Sequence, residues 1–137
     1  MKIPGIGATC DDEGLAWRET RVPGVRWLPL HLAAEAGGRS SSGEGGEDGD
    51  ATVLIRMEPG HGYPPHRHVG AEEVLVLSGG YRDEMGEHTE GDYVRYPAGS
   101  VHAPVALGDP GRAAEASNPP CVLFAVAHDG VELVEPE

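Results

Sequence analysis

Cysteine is nearly absent from this sequence: Cys10 and Cys121 stand far apart, and neither belongs to a CxxC pair. That excludes a thiolate zinc cluster and favours two free thiols over a disulfide framework. Cys121 opens the apolar run CVLFAVA and reads as a small buried residue. Basic residues are scarce too. Ten Lys and Arg face 23 Asp and Glu, for a formal net charge of −13 over 137 residues. Such a chain repels phosphate backbones, so nucleic acid is a poor partner, and the acidity serves solubility. No apolar run approaches the ~20 residues that span a bilayer. The N-terminal MKIPGIGATCDDEG has no apolar centre of a signal peptide. The expectation is therefore a cytoplasmic protein with no membrane association. There is also no P-loop, no GxGxxG, no Ser/His/Asp arrangement and no internal repeat.

Long apolar patterns at helical spacing are missing as well, while glycine (21) and proline (12) are frequent. What remains is a series of short β-type runs between turn signals: VRWLPLHL at 25–32, ATVLIRM at 51–57, EVLVLS at 73–78, DYVRYP at 92–97 and CVLFAV at 121–126. This pattern predicts an all-β sandwich or barrel, in one domain by length. LHLAAEAG, from residue 30, reads at most as a helical turn. Residues 1–16 read as an N-terminal extension and 17–137 as the barrel domain. Within it, GGRSSSGEGGEDGD (37–50) has nothing to bury and reads as a flexible acidic Gly/Ser loop. LGDPGRAAEASNPP (107–120) reads as a long surface loop, and either loop is a candidate lid.

The stretch GHGYPPHRHVGAEEVLVLSGG (60–80) places histidines and carboxylates beside a strand. If residues 66–68 are extended, His66 and His68 project from one face and can reach one ion at the usual ~2.0–2.1 Å. The acids of AEE follow at the mouth of the next strand. A second segment, GDYVRYPAGSVHAP (91–104), brings a strand, a Pro-Ala-Gly turn and a third histidine, His102. Three histidines and one carboxylate form a ligand set for a divalent transition metal. Imidazole and carboxylate ligands suit zinc, iron, manganese and nickel alike. With neutral imidazoles the site carries net +1, and an octahedral ion keeps positions for water, dioxygen or a chelating substrate.

These two segments resemble the paired motifs of the cupin superfamily. The first, G-x5-H-x-H-x3-E-x6-G, is met by Gly60, His66, His68, Glu72 and Gly79; the second, G-x5-P-x-G-x2-H-x3-N, by Gly91, Pro97, Gly99 and His102. Ala106 stands where the final asparagine belongs. HRHVGAEEVLVLSGGYRDE and GEHTEGDYVRYPAGSVHAP are similar to the ChrR-like cupins in particular. That group includes the C-terminal domain of a zinc-binding anti-sigma factor and an acetylacetone-cleaving dioxygenase. The likeness implies a double-stranded β-helix (jelly-roll) barrel, metal ligands His66, His68, Glu72 and His102, and a homodimer. Spacing alone also admits Glu73, four residues beyond His68 with x6 before Gly80; the group resemblance favours Glu72. Nothing ahead of residue 17 matches the anti-sigma factor's helical domain, so the likeness does not extend to sigma-factor binding.

Three functions follow from the resemblance: a metal-dependent dioxygenase cleaving a small β-dicarbonyl compound, a non-catalytic zinc-binding or ligand-sensing cupin, and a metal-dependent isomerase or decarboxylase of a small organic acid. Each takes a small-molecule ligand. With Glu72 inward, Val74 and Val76 share its face and make an apolar floor, and Tyr63, Tyr93 or Tyr96 could supply a hydroxyl at the mouth. His61 reads as an exposed turn residue and His88 as a surface residue among acids. His31 and His128 show no partner. No residue is identified as catalytic.

Overall fold

The computed structural model describes residues 15–32 and 50–129, with the backbone of 131–133. Among these residues there is no helix. A six-stranded antiparallel sheet runs in the order β1 (Arg18–Glu19), β2 (Val25–Leu32), β3 (Ala51–Met57), β11 (Cys121–Ala127), β5 (Glu72–Ser78) and β8 (Tyr93–Tyr96). A second sheet joins β10 (Val105–Ala106), β6 (Gly80–Asp83) and β7 (Gly86–Thr89). A third joins β12 (Val131–Leu133), β4 (His66–His68) and β9 (Val101–His102). The five expected strands all form, each end within one residue of its expected place. The remaining strands are two to four residues long, too short to carry a period of their own. Asp50 apart, the acidic loop at 37–50 lies outside the described residues, as do Cys10 and most of the N-terminal extension.

The large sheet is apolar on both faces. Its inner face carries Val25, Trp27, Val53, Met57, Val74, Val76, Leu123 and Ala125 into the main core. Its outer face carries a second cluster built on Leu54, Leu77 and Val122, with Leu75 and Phe124 packed against it. Strand alternation separates the two sets, because successive side chains leave a strand on opposite sides. Down the inner face of β3 the side chains shrink from Met57 through Ile55 and Val53 to Ala51, and β11 ends in Ala125 and Ala127. Cross-strand pairing places Ala51 beside Ala127 and Ala127 beside Glu72. The small residues thus fall in the row of the candidate carboxylate. Gly79, which follows β5, has φ of +67°, and a Cβ there would lie 2.3 Å from the Pro120 carbonyl oxygen.

The long surface loop at 107–120 is folded about one side chain. Asn118 is 3% exposed. Its Oδ1 accepts from the Asp109 backbone at 2.9 Å, and its Nδ2 donates to the carbonyls of Asp109, Arg112 and Ala113. Asn118→Ala strands these backbone groups and is expected to lower stability by about 2 kcal/mol in urea unfolding. An unchanged midpoint would show that the loop is held by other contacts.

Candidate metal centre

Four buried side chains from two sheets meet inside the molecule. His66, His68, Glu72 and His102 each offer one ligand atom, and those atoms lie within 4.8 Å of one another. His66 and His68 leave β4 on its inward side while Arg67 between them is exposed, and His66 stands directly opposite His102 of β9. Glu72 enters from β5, paired with Tyr96 on one side and Ala127 on the other. The turn ahead of β9 sets this register: Ser100 N–H donates to the Pro97 carbonyl at 3.1 Å, with Gly99 at φ +87° in the third position. That conformation belongs to a type II turn and calls for glycine.

The second glutamate turns outward. Glu73 accepts from Tyr93 Oη at 2.7 Å and lies 3.3 Å from His128 Nε2, so its carboxylate belongs to the outer surface. Tyr93, 58% exposed, is likewise outside and supplies no hydroxyl to the site. His128 therefore has a partner that the sequence did not reveal.

Each imidazole is held from behind through Nδ1. His66 Nδ1 meets the Pro64 carbonyl at 3.1 Å, which can only accept. His68 Nδ1 meets Ser100 Oγ at 2.9 Å, and that hydroxyl spends its own proton on the Pro97 carbonyl at 2.6 Å. His102 Nδ1 meets Asp83 Oδ2 at 2.9 Å. All three Nδ1 atoms must therefore carry the proton, which leaves three Nε2 lone pairs for the interior. His68 Nε2 is buried with no hydrogen bond, although Glu72 Oε1 lies 2.8 Å away, out of line for one. Unpaired acceptors at such separations repel in a low-dielectric interior unless a cation stands among them. The donor set, three imidazoles that turn Nε2 inward and one carboxyl group, therefore fits a divalent metal ion.

Burial and neighbouring His102 hold His66 down at about 4, and burial also lowers His102 despite its bond to Asp83. Both rings are thus kept neutral, the form that binds metal. Asp83 is a member of this assembly that the sequence did not mark. Burial alone would raise its carboxyl, but bonds from Tyr96, His102, His88 and the Met85 backbone outweigh this and bring it to about 2. His88 is not a surface residue: its side chain is 12% exposed and its Nε2 lies 3.0 Å from Asp83 Oδ1. The expectation failed because strand pairing folds His88 back onto Asp83, an acid of the same hairpin five residues before it. His61, expected to be exposed, is half-buried, its ring filling the space that a Cβ on Gly24 would take. Tyr96 is buried beneath the site and donates to Asp83 at 2.6 Å while accepting from Tyr81 at 2.5 Å. Cys121 is fully buried, its thiol pushed up to about 12 by desolvation.

A cavity of about 90 Å³ opens beside the four residues, reached by His66, Glu72 and His102 and otherwise walled mainly by apolar side chains. Tyr63 edges it, 5.1 Å from the His66 ring, and Val74 continues the wall beyond Glu72.

Two outcomes are expected. Glu72→Gln should lower metal affinity at least tenfold while Glu73→Gln leaves it unchanged, and the reverse result would exchange their roles. In the metal-free protein, unfolding releases His66 from a folded value of about 4 to its ordinary value near 6.5. The unfolded chain then binds more protons between those values, so this contribution is whole above pH 6.5 and lost as pH falls toward 4. Urea midpoints of the metal-free chain measured across that window would show the decline, and His66→Gln should flatten it.

A family model for the ChrR cupin-like domain matches residues 44–113, half of the chain and the whole of the site. No curated protein matches the chain. Among solved structures, the complex of Rhodobacter sphaeroides SigE with the anti-sigma ChrR aligns at 26% identity and TM-score 0.60, over 84% of this chain and 49% of that one. This chain thus spans about half the length of that relative. The polyketide cyclase RemF from Streptomyces resistomycificus aligns at 21% identity and TM-score 0.60, over 90% of this chain and 82% of its own. An acetylacetone dioxygenase from Acinetobacter johnsonii aligns at 13% identity and TM-score 0.60, over 88% and 68%. The last two likenesses speak for the fold alone, a cupin jelly roll. With the motif residues gathered as the family pattern requires, the chain belongs to the ChrR cupin-like domain family.

Proposed function

We propose that this cupin holds a divalent transition metal through His66, His68, Glu72 and His102, and uses it in the oxygen-dependent cleavage of a small β-dicarbonyl compound. The observation that carries this reading is the cavity beside the four residues. Apart from them, its described lining offers as polar groups only the hydroxyls of Thr20, Tyr63 and Tyr81 and the indole N–H of Trp27, and no Lys or Arg. A sugar would enter with most of its hydroxyls unmatched, at a cost of several kcal/mol. A diketone needs polar partners only at its two oxygens, which chelation supplies, and its alkyl ends match the apolar walls. When bound, iron would supply oxygen activation and Lewis acidity, whereas zinc would supply Lewis acidity alone.

The chain's own residues have separate tasks. Three histidines and Glu72 would hold the ion, while the apolar side chains of the wall, with Val74 next to Glu72 on the inner face of β5, keep water from the cavity. Ala51 and Ala127 leave room beside Glu72. An isomerase or decarboxylase would need an acid/base group facing the ligand. Glu73 faces outward, and Asp83 lies behind His102 with all its acceptor positions taken. A non-catalytic zinc-binding or ligand-sensing role is the second reading. It is favoured by the higher identity to the anti-sigma ChrR, 26% against 13% for the dioxygenase.

The test is elemental analysis of protein from cells supplied with iron, zinc and manganese together, paired with oxygen uptake on addition of acetylacetone. Near-stoichiometric iron with uptake is expected, and Ala127→Leu, which fills the space beside Glu72, should keep the metal and lose at least 90% of the uptake, about the tenfold expected of ~1.4 kcal/mol. Stoichiometric zinc with no uptake, unchanged after iron reconstitution, would establish the sensing role instead.

A further inference from the structure

We propose that Asp83 is a positioning residue of this centre: it sets the His102 imidazole from behind, and His88 in turn holds Asp83. The inference rests on the metal-binding reading above. Asp83 ends β6, in the second sheet, while the four candidate ligands come from the other two. Its side chain is fully buried. Oδ2 accepts from His102 Nδ1 at 2.9 Å and from Tyr96 Oη at 2.6 Å. Oδ1 accepts from the Met85 backbone and from His88 Nε2, both at 3.0 Å.

A carboxylate offers about four acceptor positions, and here all are used. It cannot turn without breaking a bond, so the plane of the carboxylate fixes the plane of His102 and the proton on its Nδ1. His88 is the outermost donor. It sits on β7, its ring 4.8 Å from that of Tyr81, and reaches Asp83 across the hairpin that Asp83 and Gly86 close. A hairpin that contributes no ligand thereby governs one.

The residue type matters as much as its place. An asparagine at position 83 would turn two acceptor positions into N–H donors aimed at groups that themselves donate. It would also remove the negative charge that strengthens an imidazole as a ligand.

The experiment uses the full chain, stripped with a chelator and titrated with Co²⁺, reading both affinity and the visible absorption of the bound ion. Asp83→Asn should bind Co²⁺ about 10–100-fold more weakly and with displaced bands. His88→Ala should displace the bands in the same sense with a smaller loss of affinity. His88→Gln, whose side-chain amide can donate the same bond, should restore both. A purely structural role for Asp83 would lower the unfolding midpoint and leave the bands in place. If Asp83→Asn does not fold, the His88 pair decides. Unmoved bands in His88→Ala, or a loss that Gln does not repair, overturn the proposal. Wild-type protein that takes up no Co²⁺ overturns the metal centre itself and this inference with it.

Discussion

Three imidazole nitrogens and a carboxylate gathered within 4.8 Å inside a protein repel one another unless positive charge is placed between them. Much of the architecture around them serves to keep that gathering from relaxing. β4 and β9 fix His66 and His102 as cross-strand neighbours, and the type II turn at Pro97–Ser100 both delivers His102 and lends Ser100 to His68. β5 brings Glu72 from the large sheet, and Asp83 reaches in from the remaining one. A cation at this point would therefore hold together elements that no continuous hydrogen-bond ladder joins, so its binding energy would also be folding energy.

The readable parts of the sequence were those with local rules. Alternation in ATVLIRM and CVLFAV marked the central strands, and H-x-H with a carboxylate and a later Pro-x-Gly-x-x-His marked the ligands. Glu72 and Glu73 could be separated only by resemblance, because spacing admits both; the pairing of Glu72 with Tyr96 and Ala127 turns it inward. Asp83 and His88 carried no such signal. Each is one polar residue among several in an acidic hairpin, and their importance arises from contacts 19 and 5 residues away. Asn118 escaped for the same reason, since a loop rich in Gly, Pro and Ala gives no sign of which side chain it is wound around.

The cavity is written in the sequence in a different way, as a gradient of side-chain size. Met57, Ile55, Val53 and Ala51 all line it from β3, and their order, with Ala127 opposite Ala51, places the smallest side chains beside Glu72. Packing and ligand access are thus settled by the same residues, with the smallest of them beside Glu72.

β5 bears a pattern whose consequence reaches beyond the site. Inward it presents Glu72, Val74 and Val76, and outward Glu73, Leu75 and Leu77: an acid followed by two aliphatics on either face. A slip of one residue would exchange the faces and still offer the interior an acid and two apolar side chains. Hydrophobicity along the strand therefore does little to choose between the two threadings, and a metal ion would meet a carboxylate in both. The choice falls to the strand's end, where Gly79 turns against the Pro120 carbonyl in a conformation that suits glycine, and to the irregular pairing with Val122 and Leu123 beside it. Fidelity of threading in this barrel is specified at a corner, and the corner lies at the far end of the strand from the acid whose placement it decides.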